Sequence, residues 1–491
     1  MSKPETKKGI GAFDFFCIGF GAIVGVGWAV SINKWMANSG GSLPACAGYF
    51  IALILVVPVA LCYCELTPML PVAGGGAAFA YKAFGEKISF LSGWAAFGAF
   101  VTLIPWEAIY ICDIASILFP VLKSGDPLYT LAGGDIYLGN IVLGTICTVV
   151  FFWINWRGAS ASASVQRILC IILLAAGGIA IIASLGKYDV HNFQPVYENI
   201  GRGTHNSFFT GALSILATAP FFLCGFETIP QAVEDASGDL ASVGKTVVLS
   251  VTLACLFYAI LLFSLGSAMP WQQFFSDMKS PAAANLLQTV YQGGIGSALY
   301  YLIMIGALCG LLTTWNSFLM ASPRLMMSLA RANMIPKIFA KQHPVYGTPT
   351  TAMITCGVLS LAAPFLGMGL IDPLTSFSAA GYVLSWMITS FACAHLRKKE
   401  PNMHRPYRLP GGSKTAWFGG IFSAVVLIML LIPGSPAYMG NLAVILFAAW
   451  YILGLVLYFV SAGERNAVPI AQREATLFAK MSEAPVSAPS K

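Results

Sequence analysis

The chain has 491 residues, of which 57% are hydrophobic and only 10% are charged, and its mean hydropathy is +0.76. A soluble protein of this composition could not cover its surface with polar groups, so we predict an integral membrane protein. The net charge of +7 does not indicate nucleic-acid binding, because the basic residues lie in short connections beside apolar segments, where they set membrane orientation.

Twelve apolar segments follow one another along the chain, each close to the roughly 20 residues that a helix needs to cross a bilayer. We number them spans 1 to 12. They lie near residues 12–31, 43–69, 90–120, 136–155, 163–186, 209–235, 243–268, 297–322, 350–368, 372–396, 415–433 and 437–461. The predicted fold class is therefore an all-α, multi-pass membrane protein with twelve transmembrane helices.

The distribution of lysine and arginine predicts the orientation of these spans. Of the 27 basic residues, 22 fall in one set of alternate connections and in the termini. Short loops rich in lysine and arginine stay on the cytoplasmic side, so both termini are predicted to be cytoplasmic in a cell membrane, either plasma or inner. The external loops carry the other five, Lys34, Lys123, Lys187, Arg202 and Lys279.

The twelve cysteines lie almost wholly within apolar stretches. In that setting a cysteine behaves as a small buried hydrophobic residue, and no disulfide framework is predicted.

Spans 1 and 6 are both interrupted in the middle. Span 1 contains Gly25-Val26-Gly27, and span 6 contains Pro220 and Gly225. The two spans are five apart, so they cross the membrane in opposite directions, and broken helices in corresponding positions of two inverted halves indicate a transporter site. The alternative is that these glycines only allow neighbouring helices to pack closely.

Unwinding at Gly25, Val26 and Gly27 would expose backbone N–H groups at the positive end of a half-helix, which is a site for a carboxylate. Phe221 and Phe222 supply rings that could close over a ligand. Ordinary packing is the alternative for both phenylalanines.

Glu107 lies near the middle of span 3, two residues after Pro105, and Tyr110 shares its helix face. A carboxylate at this depth costs a few kcal/mol or more unless it is paired, protonated or in contact with water. Three interpretations stay open: Glu107 binds a cationic substrate group, carries a coupling proton, or is a protonated carboxyl group bonded to a neighbouring helix.

Several motifs in order resemble the amino acid permeases of the amino acid–polyamine–organocation superfamily over nearly the whole chain. They are the stretch 21–27, the stretch 63–75 with Tyr81 and Phe84-Gly85, Gly225-Phe226-Glu227, Ser322-Pro323-Arg324 with Ala330-Arg331 and Ile335-Pro336, and Leu396-Arg397 with Glu400-Pro401 and 405–408. The resemblance implies a leucine-transporter-like fold, an inverted five-plus-five helix repeat with two extra helices, working by alternating access.

This fold divides the chain into five parts. They are a cytoplasmic N-terminus at 1–11, a first repeat at 12–187, a second repeat at 209–396, two further spans at 415–461 and a cytoplasmic tail at 462–491. We expect the tail to be poorly ordered, and we expect Glu65 and Arg324, near cytoplasmic span ends, to form an inner-gate ion pair.

The resemblance also implies roles for individual residues. The carbonyls of Ile23, Phe221 and Cys224 would accept hydrogen bonds from an α-ammonium group, and Phe318 would line the pocket. In sodium-coupled proteins of this fold, an ion binds between spans 1 and 8. Its ligands here would be the carbonyls of Gly21, Val24 and Gly310 and the hydroxyls of Thr313 and Thr314, an all-oxygen set that suits Na⁺.

The alternative for both threonines is a hydrogen bond to a carbonyl of their own helix. Many proton-coupled relatives carry a lysine in span 5, and Leu173 stands at that position here. No cofactor is expected, and coupling to Na⁺ or to H⁺ stays open.

The sequence therefore predicts a secondary transporter for an amino acid or related small amine, by symport or exchange, rather than an enzyme. The alternative is a polyamine or organic-amine permease in which Glu107 binds the cation. A channel is disfavoured, because no carbonyl-filter motif is present. Expected partners are the small-molecule substrate and membrane lipid, not nucleic acid, with the protein acting as a monomer or homodimer.

Overall fold

The computed structural model describes residues 9–131, 134–199, 206–273, 281–435, 437–479 and 481. Most of the N-terminal segment, the end of the tail, and the predicted external residues Arg202 and Lys279 lie outside the described residues. Within the described ranges, β-structure is confined to two isolated bridges and a short antiparallel hairpin of β1 (Tyr129–Leu131) and β2 (Gly134–Ile136). An all-α architecture is thus confirmed for the part of the chain that the structure describes.

The helices with described bounds are numbered in chain order. They are α1 (Ala12–Ile23), α2 (Gly27–Val30), α3 (Ile32–Ser39), α4 (Ser42–Met69), α5 (Gly76–Phe84), α6 (Glu86–Leu118), α7 (Leu138–Trp156), α8 (Ala159–Leu185), α9 (Phe208–Ser214), α10 (Ala219–Leu223), α11 (Thr228–Gln231), α12 (Leu240–Ala268), α13 (Ala282–Tyr291), α14 (Gly293–Arg331), α15 (Thr350–Ala362), α16 (Ile371–Lys399), α17 (Ser413–Leu431), α18 (Asn441–Val460), α19 (Ala462–Asn466) and α20 (Ile470–Leu477). Short 3-10 helices cover Pro120–Lys123, Val190–Phe193, Ile215–Ala217, Val233–Asp235, Lys337–Ala340, Ala363–Phe365 and Met368–Leu370.

Ten helical segments among the described residues are long and apolar enough to cross a membrane, and they correspond to ten of the predicted spans. The segments at spans 6 and 9 are shorter apolar helices, Phe208–Ala217 and Thr350–Phe365. Span 6 is shortened because its helix is interrupted ahead of Pro220, and span 9 because it tightens into a 3-10 turn around Pro364.

Both predicted interruptions are present as non-helical segments. In span 1, α1 ends at Ile23 and α2 begins at Gly27. In span 6, α10 ends at Leu223 and α11 begins at Thr228. The backbone of each span therefore leaves its helical hydrogen-bond ladder near the middle.

The broken span 1 lies in the interior of the bundle. Helix α1 packs against α8, α12 and α14, and α6 packs against α14 and α16. In the most apolar window, 83% of the residues are buried for spans 1, 3 and 10, against 11% for span 12. Spans 1, 3 and 10 therefore lie at the centre of the bundle, and span 12 is peripheral.

The expectation of a poorly ordered tail is wrong for its first part. Helices α19 and α20 lie against the bundle because two of their arginines, Arg465 and Arg473, pair with Glu86 at the start of α6. Leu477 is buried as well. These ion pairs with a partly buried carboxylate give the polar segment a fixed position. The sequence around the two arginines could not show them, because Glu86 lies far away in the chain.

All twelve cysteines are free thiols. Eleven are buried and Cys147 is half-buried, which agrees with the prediction from their apolar surroundings.

Candidate functional site

The two broken spans meet at Gly225. This residue has φ +125°, a conformation that residues with a side chain rarely adopt. A Cβ atom built on Gly225 would lie 2.6 Å from the carbonyl carbon of Ala22 and 2.7 Å from the amide nitrogen of Ile23. Glycine is required here because both its backbone angle and its contact with span 1 leave no room for a side chain.

The break in span 1 leaves donors available. The Gly25 N–H bonds the Ile23 carbonyl at 3.1 Å, whereas the N–H groups of Val26 and Gly27 have no acceptor among the described residues. Buried N–H groups are nearly always paired in folded proteins. These two donors, at the start of α2, can therefore receive an anionic group.

The three carbonyls expected to face an ammonium group differ in their present partners. The Ile23 carbonyl accepts from the Tyr258 hydroxyl at 3.1 Å, and the Phe221 carbonyl accepts from the Cys224 thiol at 2.9 Å. The Cys224 carbonyl has no donor in the described part of the chain. Of the three carbonyls, that of Cys224 is therefore the most available acceptor.

Glu107 faces the break in span 1. Its side chain is buried, and its Oε1 atom lies 3.6 Å from the position of a Cβ atom on Gly25. Its Oε2 atom has no hydrogen-bond partner among the described residues. A buried carboxyl oxygen without a partner is costly, so this geometry suits a group that meets a proton or a cation during the protein's work.

Aromatic rings form a wall beside this carboxyl group. The Trp106 ring centroid lies 4.2 Å from that of Tyr110 and 5.2 Å from that of Phe221. Phe222 packs against Trp35, and its ring would meet a Cβ atom on Gly27 at 2.5 Å. The rings of spans 3 and 6 are therefore brought together at the break.

Phe318 lies in a different ring cluster. Its ring centroid is 5.3 Å from that of Phe100 and 6.5 Å from that of Tyr382. Tyr382 in turn packs against Trp386. No ring contact joins Phe318 to Phe221 or Phe222 among the described residues.

Four of the five predicted sodium ligands are close together. The Thr314 hydroxyl lies 3.2 Å from the Gly21 carbonyl and 3.1 Å from the Gly310 carbonyl. The Thr313 hydroxyl lies 2.7 Å from the Gly310 carbonyl. Val24, the fifth predicted ligand, follows α1 directly in the unwound segment. These oxygens fit a hard cation, and they also satisfy one another by hydrogen bonds, so both interpretations of the threonines stay open.

Leu173 adjoins this oxygen cluster. Its Cδ1 atom lies 3.3 Å from the position of a Cβ atom on Gly310, and that same position contacts the Gly25 carbonyl. The side chain facing the break from span 5 is thus aliphatic.

The sequence indicates Glu227 only as a structural or gating charge near a helix end, and its hydrogen-bond partners were missed. Its buried carboxylate accepts from the Gly225 N–H at 2.7 Å and from the Trp386 indole N–H, so it fixes the unwound segment of span 6 from within. Asn316 and Gln166 were also missed, although they link span 8 to span 5 at 2.9 Å and reach the Cys17 carbonyl of span 1. The signal that could have identified these residues is that they are polar side chains inside apolar spans.

The predicted ion pair between Glu65 and Arg324 is wrong. Glu65 pairs with Arg397 and Arg405, and it also accepts the Leu409 N–H at 2.8 Å. Its oxygens are satisfied by the last turn of α16 and by the connection that follows it, which leaves none for Arg324.

Arg324 instead pairs with Asp235 at 3.0 Å, and Arg331 pairs with Glu234 at 2.8 Å. Both acids lie at the end of the broken span 6, in the 3-10 turn Val233–Asp235. Together with the pair of Asp14 and Arg167 at 3.2 Å, these ion pairs link the start of span 1 to span 5 and the end of span 6 to the end of span 8.

Two interrupted membrane helices that touch one another, near a buried carboxyl group with an oxygen that has no partner among the described residues, define a membrane solute transporter. Comparison with known proteins agrees: the amino acid permease family matches residues 10–458. The chain belongs to this family, within the amino acid–polyamine–organocation superfamily.

The chain is similar to curated transporters of varied cargo. It is 24% identical over 465 residues to the branched-chain amino acid permease BcaP of Bacillus subtilis, covering 93% of this chain and 94% of that one. It is 23% identical over 471 residues to the methylthioribose transporter of the same organism, covering 94% and 95%. It is 24% identical over 484 residues to its glutamate/serine transporter AimA, covering 94% and 81%. These relatives are transporters rather than enzymes.

Proposed function

We propose that the protein is a secondary active transporter that moves an amino acid or a related small amine across the membrane by alternating access. The observation that carries this proposal is the contact between the two breaks, with partnerless backbone donors on one side and the Glu107 carboxyl group facing them. Unpaired peptide groups in the middle of a membrane protein have a function when a solute can pair with them.

The proposed binding mode uses backbone for the groups that all amino acids share. The substrate carboxylate accepts from Val26 and Gly27, and the ammonium group donates to the Cys224 carbonyl, flanked by those of Ile23 and Phe221. The rings of Tyr110, Phe221 and Phe222 cover the rest of the substrate. Because backbone recognises the common groups, the side chains set the choice of substrate.

We further propose twelve spans in an inverted five-plus-five repeat, with both termini in the cytoplasm. Spans 1 and 6, equivalent in such a repeat, are both broken and touch one another. Spans 2 and 7, also equivalent, form a long helix pair through α4 and α12. The shorter helices at spans 6 and 9 cross the membrane together with their 3-10 and unwound segments.

Among the possible coupling modes, we favour a sodium gradient as the driving force for transport. The oxygens of Gly21, Gly310, Thr313 and Thr314 converge between spans 1 and 8, and Leu173 removes the lysine charge that many proton-coupled relatives use. Exchange without an ion gradient, and proton coupling through Glu107, are the competing modes.

A cationic amine is the second candidate substrate. Glu107 has a carboxyl oxygen without a hydrogen-bond partner among the described residues, and Trp106 and Tyr110 lie on the same helix, where the Trp106 ring packs against Tyr110 and Phe221. A carboxylate framed by aromatic faces attracts an ammonium group by charge and by cation–π contact.

The test is a thermal-shift screen of the purified protein against amino acids, amines and modified amino acids, followed by uptake of the best compound into proteoliposomes. We expect a stabilising ligand that is also transported, and we expect the Gly27→Leu variant to lose both effects. Uptake that Gly27→Leu leaves unchanged would contradict the assigned site.

A further inference from the structure

A cleft lined by cationic side chains lies between the tail and the end of α14. It has a volume of about 480 Å³. Helix α20 forms one wall, and the end of α14 with the 3-10 turn Lys337–Ala340 forms the other. Four of its lining residues are cationic, namely Arg331, Lys337, Lys341 and Arg473. We call it the tail cleft.

The four cations of the tail cleft are two ion-paired arginines and two lysines without an ion pair among the described residues. Arg331 and Arg473 have mostly buried side chains, and Glu234 and Glu86 fix them from outside the cleft. Lys337 forms no ion pair within the described residues. No carboxylate is among the lining residues that the structure describes.

The second lysine, Lys341, also has no acidic partner in the described part of the chain. The nearest acid with a known contact is Glu464, whose carboxylate accepts the backbone N–H of Lys337 at 3.1 Å. That bond places one negative charge at the edge of the cleft, so the lining keeps a clear positive excess.

We propose that the tail cleft binds an anionic phosphate group. Guanidinium and ammonium groups that line one space are the side chains that proteins use for phosphate, and Gln472 lies beside Arg473 on the wall formed by α20. A volume of this size accommodates a phosphate-bearing headgroup or a small phosphorylated metabolite. This site is separate from the substrate site and does not depend on it.

An occupant of the tail cleft would act on the ion pairs at this end of the bundle. Arg331 lines the cleft and holds Glu234, which also accepts the Ala73 N–H at 2.9 Å. Arg473 lines the opposite wall and holds Glu86 at the start of α6. A phosphate that bridges the two arginines would join the tail to the segment after broken span 6.

The test measures binding directly on the full-length protein. Inorganic pyrophosphate is titrated into detergent-purified protein, and retention of phosphatidylglycerol is measured by native mass spectrometry after extraction from phosphatidylcholine–phosphatidylglycerol nanodiscs. The variant is Lys337→Glu with Lys341→Glu, and Lys→Gln at both positions serves as the milder form. Lys414→Glu, which changes an exposed lysine away from the cleft, is the matched control.

We expect at least one probe to bind with saturation and the double Glu variant to weaken it by about tenfold or more, since each surface cation contributes about fivefold to anion binding. Lys414→Glu should have no effect. Loss of pyrophosphate binding identifies a soluble phosphate as the ligand, and loss of phosphatidylglycerol retention identifies a lipid headgroup. The proposal is overturned if neither probe binds, or if the double variants bind like the wild type.

Discussion

The Cα atom of Gly225 in span 6 lies directly against the backbone of Ile23 in span 1, so closely that a Cβ atom there would be 2.7 Å from the Ile23 amide nitrogen. Each broken segment thus forms part of the wall of the other. A movement of the backbone at one break therefore displaces the backbone of the other directly, without an intervening side chain. A substrate site shared by the two spans requires such a contact.

Replacing Gly225 by alanine should abolish uptake. The added methyl group meets the backbone of Ala22 and Ile23, and the φ angle of +125° is unfavourable for alanine. The measurement is uptake into proteoliposomes at matched protein content. Gly178→Ala in span 5 is the control, because nothing lies within 4 Å of its Cβ position; equal activity of the two variants would show that the contact is dispensable.

Gly27→Leu should eliminate substrate binding while membrane insertion remains normal. The new side chain enters the space of the Phe222 ring and covers the free N–H groups of the break. Ligand-induced thermal stabilisation and uptake should both disappear. Gly294→Leu, where the Cβ position has no neighbour within 4 Å, controls for the effect of adding a large side chain.

Glu107→Gln separates the roles of this carboxyl group. If Glu107 binds a cation, the variant should lose preference for cationic over neutral substrates. If it carries a proton, uptake should lose its dependence on pH. Asp113→Asn is the control, since Asp113 pairs with Lys123 near the other end of α6. A variant unchanged in both measurements would leave only a structural role for Glu107.

Thr314→Ala should remove the response of uptake to a sodium gradient. This hydroxyl lies within hydrogen-bond distance of the Gly21 and Gly310 carbonyls, so its loss deletes one oxygen ligand and one hydrogen bond between spans 1 and 8. Thr314→Ser retains the hydroxyl and should retain the response. Wild-type uptake that is indifferent to the gradient would refute the ion site itself.

Glu65→Gln should destabilise the protein without touching the substrate site. It leaves Arg397 and Arg405 facing a buried neutral group, and breaking a buried pair costs about 3–5 kcal/mol. The measurement is the apparent unfolding temperature in detergent, which should fall clearly. Asp126→Asn, in an exposed loop, should leave it unchanged; equal effects would mean that the ion pairs add little.

The breaks in spans 1 and 6 could be predicted because their cause is local. Gly25, Gly27 and Gly225 weaken a helix wherever it lies, and Pro220 removes a backbone donor. The partner of Glu65 could not be predicted in the same way. Arg397 lies 332 residues away in the chain, and the charge pattern near the span ends offered Arg324 as an equally good candidate.

The candidate site likewise has features that the sequence could predict and features that it could not. The depth of Glu107 was evident from its apolar neighbours, but its approach to Gly25 depends on how spans 1 and 3 pack. Phe318, one turn after Thr314, stays a predicted pocket residue, and the structure packs its ring against Phe100 and Tyr382. A ring on a long helix can meet either neighbour, and only the tertiary arrangement decides which.

The burial of all but one of the cysteines has a practical consequence. Eleven thiols are shielded and Cys147 is half-covered, so maleimide reagents should label the native chain slowly. A single cysteine introduced at the rim of either break would then be labelled above a low background. Its labelling rate would report when each side opens to solvent, without prior replacement of the natural cysteines.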